Sequence, residues 1–453
     1  MTKSTEAYTS WAEAVLGGKC VAARSAGAGA SRATWLIDIE KPTGAIEPAV
    51  LRIDTGDGPL SGTEVSLERE GAVYRALQGR DLPIASFGAI SEDGLALILG
   101  RLEGTAEWGE SLEAPVRDTV VDEFVDAIVA LHALDTAELD IPGMRIVLSS
   151  NDHARNELDL WEEILTTRVT RPSPAVRYAF HWMRRHAPEC GETVLCHGDP
   201  GPGNFMHQDG HLSGLIDWEF AHFGDPMDDL GWMAFRGRAG GFAWPLESIF
   251  RKYAEVSGRA LDRRRIEYYQ LFTILRMAVC CLVGMQDRKG GMNANVYFSL
   301  YPSLEVLLPL AISSMVGLET PRPLVVDDEV IDELPLYVEK EFLPRIANDI
   351  DDPLVRMRLL SVTPLLGHLR ARLGIGTEVD ALNLDTVAAA LGKRFESWPQ
   401  AERGIDELLR SGEIDDEIVL PMLTSVGLQR ARLWPGAGPG RMTVPDLPDW
   451  LGT

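Results

Sequence analysis

The sequence predicts an α+β protein, and three observations carry that prediction. Short β-rich runs crowd residues 34–99, long amphipathic helical patterns dominate from Leu112 to Leu318, and helical periodicity resumes after the proline-punctuated stretch Glu319-Thr320-Pro321-Arg322-Pro323. A chain of 453 residues is long enough for two or three domains with cores of their own. The expected partition is a β-rich N-terminal lobe at 1–104, a mainly helical lobe at 105–318, and an additional all-helical domain at 324–453 ending in a loose Gly/Pro-rich tail from Pro435.

The strands are expected at Thr34–Ile39, Ala49–Ile53 and Leu95–Leu99. One helix interrupts them from about Glu64 to Gln78, because Glu70, Val73, Tyr74 and Leu77 recur at helical spacing and Gly79 stops the run. Helices follow over Val121–Leu134 and Ile266–Met285, with one β-rich island between Val194 and Glu219. Within it Asp209-Gly210 is a tight hairpin signal, so Phe205–Gln208 should pair antiparallel with Leu212–Ile216. Beyond the linker the helical patterns lie at Ile331–Ile346, Leu354–Leu373 and Val387–Phe395.

Acidic residues number 68 against 43 basic, a formal net charge of −25 that phosphate backbones and anionic lipid would repel. Neither nucleic acid nor membrane is therefore an expected partner. The two greasiest stretches read as core helices: Leu271–Met285 is broken by Arg276, and Val306–Leu318 contains Pro309 and is too short to span a bilayer. The N-terminal residues lack the basic-then-apolar pattern of an export signal, and Cys20, Cys190, Cys196, Cys280 and Cys281 show no C-x-x-C spacing. Five reduced thiols in a cytoplasm is the expectation, with Cys280-Cys281 core rather than nucleophile.

The segment richest in chemistry is Val194-Leu195-Cys196-His197-Gly198-Asp199-Pro200-Gly201-Pro202-Gly203-Asn204, followed by Ile216-Asp217-Trp218-Glu219. An apolar strand delivers Asp199 into a loop of glycines and prolines, and the hairpin brings Asn204 close to Asp217. Two carboxylates and an amide at one sheet rim are oxygen donors of the kind Mg²⁺ prefers. Phosphoryl transfer to a hydroxyl needs such a set, with one carboxylate to orient and deprotonate the acceptor and others to hold the metal against nucleotide phosphates. His197, His207, His211 and His222 lie close in sequence, but the Asp209-Gly210 turn splits them and no pair has helical i, i+4 spacing, so zinc is not expected. Glu219 and Asp225 read as capping or solvated carboxylates.

The run H-G-D-x-x-x-x-N, then I-D-W-E, then Gly224-Asp225-Pro226-x-x-Asp229-Leu230, resembles the aminoglycoside phosphotransferase family, small-molecule kinases with a two-lobed protein-kinase-like fold. The resemblance covers about residues 20–310. It implies ATP and Mg²⁺ as cofactors, Asp199 as catalytic base, His197 and Asp229 as braces of the catalytic loop, and Asn204 and Asp217 as metal ligands. Ala28-Gly29-Ala30-Ser31-Arg32-Ala33-Thr34 resembles the family's nucleotide loop, with Gly29, Ser31 and Thr34 matching and Ala28 and Arg32 departing. Arg52 stands where kinases carry the phosphate-binding lysine, and Glu70 where they carry its partner. Arginine keeps the charge and donates to phosphate bidentately. Leu97–Glu103, including Leu99 and Arg101, resembles the hinge whose backbone binds adenine.

The I-D-W-E form and the Gly-Asp-Pro-x-x-Asp-Leu run look most like the branch associated with acyl-CoA dehydrogenases, which implies transfer of the ATP γ-phosphoryl group to a hydroxyl of a hydroxyacyl-CoA or related small molecule. Antibiotic-modifying kinases of the aminoglycoside type share the same core motif. A nucleotide-binding pseudokinase scaffold, acting through the C-terminal helical domain, is the non-enzymatic alternative, and the retained Asp199, Asn204 and Asp217 argue against it. Self-association or a partner protein would also fall to that domain.

Overall fold

The computed structural model describes residues 3–26, 32–109, 112–146, 149–239, 244–286, 294–319, 336–350, 353–412, 414–435 and 447–451. The chain divides into two compact units, one comprising Met1–Glu157, Pro188–Gln270 and Pro445–Thr453, the other Leu158–Ala187 and Leu271–Val444.

The first unit opens with helix α1 (Lys3–Leu16), strands β1 (Lys19–Ser25), β2 (Ala33–Glu40) and β3 (Ile46–Ile53), helix α2 (Leu67–Leu77), and strands β4 (Phe87–Ile90) and β5 (Ala96–Gly100). The five strands form one antiparallel sheet in the order β1-β2-β3-β5-β4. The expected β2, β3 and β5 are present; β1 and β4 were not anticipated, because β1 alternates poorly and β4 is four residues long. Side chains alternate faces along a strand. Ile37, Ile39, Leu51, Ile53, Ala96 and Ile98 therefore share one face and close a core with Ala12 of α1, all at most 1% exposed. Burying each such aliphatic side chain contributes roughly 1.5–3 kcal/mol. The opposite face, with Arg52 directly across from Leu97, receives α2, whose Gly71 lies against Leu97 and Ile90. Ser66 caps α2 by accepting from the Arg69 N–H at 3.1 Å. The helix starts three residues later than the pattern suggested, since Ser66 is the cap.

Helix α3 (Ala114–His132) and the start of α4 (His153–Arg168) follow, then strands β6 (Val194–Cys196), β7 (Phe205–Gln208), β8 (His211–Leu215) and β9 (His222–Gly224). The hairpin forms as expected, β7 pairing antiparallel with β8. Its two-residue turn places Asp209 at φ 51° and Gly210 at φ 86°, the left-handed pair that such turns require. Strand β6 pairs with β9, so the residues after Cys196 and those before Pro226 leave the same small ribbon. Helices α6 (Pro226–Ala239), α7 (Leu246–Ser257) and the first turns of α8 (Arg263–Gln286) complete this unit. Asp225 caps α6 through the Met227 N–H at 2.9 Å, as expected of that residue.

The second unit is helical: α5 (Pro174–Arg185), the remainder of α8, α9 (Ala294–Met315), α10 (Leu343–Asn348), α11 (Pro353–Leu360), α12 (Thr363–Leu391), α13 (Trp398–Ser411) and α14 (Asp416–Ala431). Its boundaries differ from the expected partition at 104 and 318–324. Helix α9 packs along α14, and α5 along α9 and α13, so these helices group with the C-terminal ones. Arg177 of α5 pairs with Asp406 of α13 at 2.9 Å, and the Tyr178 hydroxyl donates to Asp416 of α14 at 3.0 Å. Helix α9, of 22 residues, contains the Val306–Leu318 run only as far as Met315. It and α8 are long and apolar enough to cross a membrane, and 67% and 94% of their apolar windows are buried inside the protein. Phe395 falls outside its expected helix because Gly392, at φ 64°, ends α12.

The linker from residue 320 and the tail residues 436–446 lie outside the described residues. The expectation of a loose tail fails for 447–451: Leu447 is buried, and Arg251 stacks on Trp450 at 4.6 Å. One buried leucine and one cation–π contact hold that end. The five cysteines form no disulfide.

Helix α6 runs close against α8. A Cβ on Gly231 would lie 2.8 Å from backbone atoms of Tyr269 and Gln270, whereas a Cβ on Gly109 would meet nothing within 4 Å. Gly231→Ala should therefore cost about 1–3 kcal/mol of stability by forcing α6 outward. Gly109→Ala should stay within about 0.5 kcal/mol of the parent in the same urea titration.

Candidate active site

Strand β6 ends at Cys196, and the chain turns into the loop His197–Asn204. The loop is held from beneath by one carboxylate. Asp229, fully buried on α6, accepts the His197 N–H and the Gly198 N–H, each at 2.8 Å. Its outer oxygen also bonds the His132 imidazole at 2.9 Å, and His132 in turn bonds the Tyr253 hydroxyl at 2.7 Å. Burial is the largest influence and raises the cost of charge on Asp229, but His132, His197 and the Gly198 N–H together outweigh it and keep the carboxyl below its ordinary pKa.

His197 is a brace in its geometry. Its Nε2–H donates to the Ile216 carbonyl at 3.0 Å and its Nδ1 accepts the Asp199 N–H at 3.3 Å, which consumes both ring nitrogens on backbone. Burial depresses its basicity, in keeping with a neutral ring. The bond to Ile216 ties the loop to the end of β8, one residue before Asp217.

Asn204 and Asp217 come together as the hairpin requires, with the Ile216 N–H donating to the Asn204 carbonyl at 3.0 Å. Asn204 Nδ2 donates to Asp199 Oδ2 at 2.7 Å and to the Asp199 carbonyl at 2.9 Å, so its amide oxygen is the atom left over. Asp217 adopts a left-handed conformation, φ 66° and ψ 64°, unusual for a residue with a Cβ.

Arg52 and Glu70 pair at 2.6 Å, as the sequence suggested. The structure adds a third member: both terminal nitrogens of Arg52 reach Asp217 Oδ1 at 2.9 Å. Burial works against the charge on Arg52, but Glu70 and then Asp217 outweigh it and hold the guanidinium above its ordinary pKa. Burial pushes Glu70 up to about 7, with Arg52 pulling the other way. For Asp217 the balance reverses: burial opposes the charge, Arg52 overcomes it, and the carboxyl stays below its usual range.

Asp199 is raised by burial against the opposing charge of a residue the sequence reading missed, Arg236 of α6, whose Nη1 makes a short ion pair with Asp199 Oδ1. Its Nε also donates to the Pro202 carbonyl at 2.7 Å. A signal existed, since Arg236 lies two turns beyond Asp229 and so on the same helix face. His132 and Tyr253 carry no local signal, because they reach Asp229 from α3 and α7.

Gly29 and Ser31 lie outside the described residues. Arg32, beside them, is buried, with Nη2 donating to the Val65 carbonyl at 2.9 Å and Nη1 3.3 Å from Asp54. Leu99 is buried in β5, paired with Val50. The Arg101 guanidinium turns onto β2, 2.8 Å from Asp38, and the Gly100 N–H before it donates to the Ser86 carbonyl at 2.8 Å. The clustered histidines do not converge: His207 bonds the Glu107 carbonyl, His211 bonds Glu123, and His222 bonds Asp228.

Residues 22–268, more than half of the sequence, match the model of the phosphotransferase enzyme family. The chain belongs to that family. It is similar to acyl-CoA dehydrogenase family member 10 of Mus musculus, 22% identical over 187 residues, which covers 39% of this chain and 17% of that protein. It is also similar to acyl-CoA dehydrogenase family member 11 of Rattus norvegicus, 25% identical over 117 residues, covering 25% and 15%. The chain thus spans well under a third of these curated relatives. Among solved structures it resembles a macrolide 2'-phosphotransferase from Brachybacterium faecium, at 19% identity and a TM-score of 0.45, covering 64% of this chain and 97% of that one.

Asp229→Ala would leave the His197 and Gly198 N–H groups and the His132 ring without their buried acceptor. At roughly 1–3 kcal/mol for each orphaned group, the variant should lose at least about 3 kcal/mol in urea unfolding. Asp135→Ala, which removes only an exposed cap bond to the Ala137 N–H, should cost about 1 kcal/mol.

Proposed function

We propose that the protein transfers the γ-phosphoryl group of ATP to a hydroxyl of a small molecule, with Asp199 as the base. The observation that carries this reading is the linkage of Asp199, Asn204 and Asp217: the Asn204 amide bonds Asp199, and its carbonyl bonds the Ile216 N–H next to Asp217. Asp199 accepts the proton of the acceptor hydroxyl, and Asn204 holds its carboxylate in aim through the 2.7 Å bond. The positioned base and the positioned phosphate donor make the transfer effectively intramolecular.

The donor set fits Mg²⁺. Asn204 has spent its amide nitrogen on Asp199 and keeps its oxygen, and Asp217 has committed Oδ1 to Arg52 while Oδ2 accepts no hydrogen bond among the described residues. The Asp217 side chain is 34% exposed, so that oxygen is open to an incoming group. When bound, the ion would neutralise the negative charge that builds on the nucleotide phosphates. Arg52, anchored by Glu70, supplies a fixed cation on the nucleotide side, and its planar fork suits phosphate oxygens. The backbone of the Leu99–Arg101 stretch is assigned to adenine, and Gly29 and Ser31 to the phosphates.

As acceptor we propose a hydroxyacyl-CoA or a related metabolite. Support comes from the two relatives described as acyl-CoA dehydrogenase family members, to which 39% and 25% of this chain are similar.

A panel of hydroxyl compounds offered with ATP, read by product mass, tests the reading directly. Asp199→Asn should cut kcat by at least about 10²-fold with little change in nucleotide affinity, the scale of general-base catalysis. Asp217→Ala should weaken Mg²⁺-dependent nucleotide binding and abolish turnover. Binding of ATP without turnover of any acceptor, water included, would instead favour a scaffold. Equal ATP affinity with and without Mg²⁺ would remove Asn204 and Asp217 from metal binding.

A further inference from the structure

The loop between Asp199 and Asn204 contains only proline and glycine, so it carries no cation of its own. Arg52 is held by Glu70 and Asp217 and is already assigned to the nucleotide phosphates. Phosphoryl transfer spreads negative charge over the oxygens of the group in flight, and a cation beside it is worth a large factor in rate. Among the described residues Arg236 is placed to be that cation.

Three observations converge on it. Its guanidinium is fixed at two points, Nε on the Pro202 carbonyl at 2.7 Å and Nη1 on Asp199. Its charge favours the ionised form of Asp217 as well as of Asp199, so the guanidinium lies within electrostatic reach of both. Its third nitrogen, Nη2, makes no hydrogen bond among the described residues, and the side chain is 25% exposed. The loop is shaped to leave that nitrogen bare. Gly203, at φ 93°, would place a Cβ 3.2 Å from Nη2, and Gly201, at φ 144°, would place one 3.0 Å from the Arg236 Cδ. Side chains at either position would be strained and would crowd the guanidinium.

We propose that Arg236 is a catalytic residue whose Nη2 donates to an oxygen of the phosphoryl group as it passes from ATP to the acceptor. This rests on the phosphotransfer reading above. In the step, the bond from the γ-phosphorus to the β–γ bridging oxygen breaks, and a bond forms from that phosphorus to the acceptor oxygen. The acceptor proton goes to Asp199, and the products are ADP and a phosphomonoester. Arg236 keeps its proton throughout, holding the base by one nitrogen and the transferred group by another. Because α6 also carries Asp229, one helix face sets both the loop and the cation.

The test uses Arg236→Met and Arg236→Lys in the full chain. ADP with Mg²⁺ is titrated in the absence and presence of aluminium fluoride, a planar mimic of the phosphoryl group in transit, and slow ATP hydrolysis is measured in parallel with water as acceptor. Wild type should bind ADP more tightly when fluoride is added. Arg236→Met should lose that enhancement by at least about tenfold and hydrolysis by at least about 100-fold, with ADP affinity in the absence of fluoride unchanged. Arg236→Lys should recover part of both. An undiminished fluoride enhancement in Arg236→Met overturns the proposal, and so does a loss of fluoride-free ADP affinity, which would make Arg236 part of the nucleotide site or of the scaffold. Failure of the underlying reading looks different: Asp199→Asn would hydrolyse ATP at the parent rate, or wild type would not bind ADP with Mg²⁺ at all.

Discussion

Burying a carboxylate costs several kcal/mol unless a partner compensates it, and the buried Glu70 and Asp229 gather with the partly buried Asp199 and Asp217 around one short loop. The rest of the site is arranged to meet that cost. Arg52 sits between Glu70 and Asp217, Arg236 holds Asp199, and His132 with two backbone N–H groups surrounds Asp229. Asp217 and Asp199 are each paired with an arginine through Oδ1; Oδ2 of Asp199 accepts from Asn204, and Oδ2 of Asp217 accepts no hydrogen bond among the described residues. The pairing lets charged groups remain charged in a place where burial alone would neutralise them.

This electrostatic arrangement dictates the packing around it. Arg52 must leave the sheet on the face opposite the α1 core, because the alternation of β3 turns Leu51 and Ile53 into that core and Arg52 toward α2. Glu70 meets it there, on a helix started by the Ser66 cap. Asp229 and Arg236 must point the same way from α6, and their separation of two turns ensures it. The close approach of Gly231 to α8 then fixes how far α6 stands from the loop. A shift of one ångström in that helix would displace the brace and the cation together.

The division of labour also explains why His197 carries no proton in the proposed chemistry. Both of its nitrogens are bonded to backbone, one across to Ile216 and one within the loop, and burial lowers its basicity. It joins the base-bearing loop to the strand end that bears Asp217. That leaves Asp199, its Oδ2 aimed by the Asn204 amide and its Oδ1 held by Arg236, as the proposed base.

Much of this was legible in the sequence because it rests on local rules. Alternation in β2, β3 and β5, the Asp209-Gly210 turn, and the spacing from His197 to Asn204 and on to Asp217 are short-range patterns, and they placed the hairpin, the loop and the family motif correctly. The Arg52–Glu70 pair was readable because a carboxylate on the apolar side of a helix needs a cation. Tertiary structure alone decided the rest. That Arg52 also grips Asp217, that Arg236 holds Asp199, and that His132 and Tyr253 support Asp229 depend on contacts between residues far apart in sequence, for which no periodicity exists to be read. The grouping of α5 and α9 with the C-terminal helices is of the same kind: an amphipathic pattern says that a helix has an apolar face, and only the folded chain determines which other face covers it.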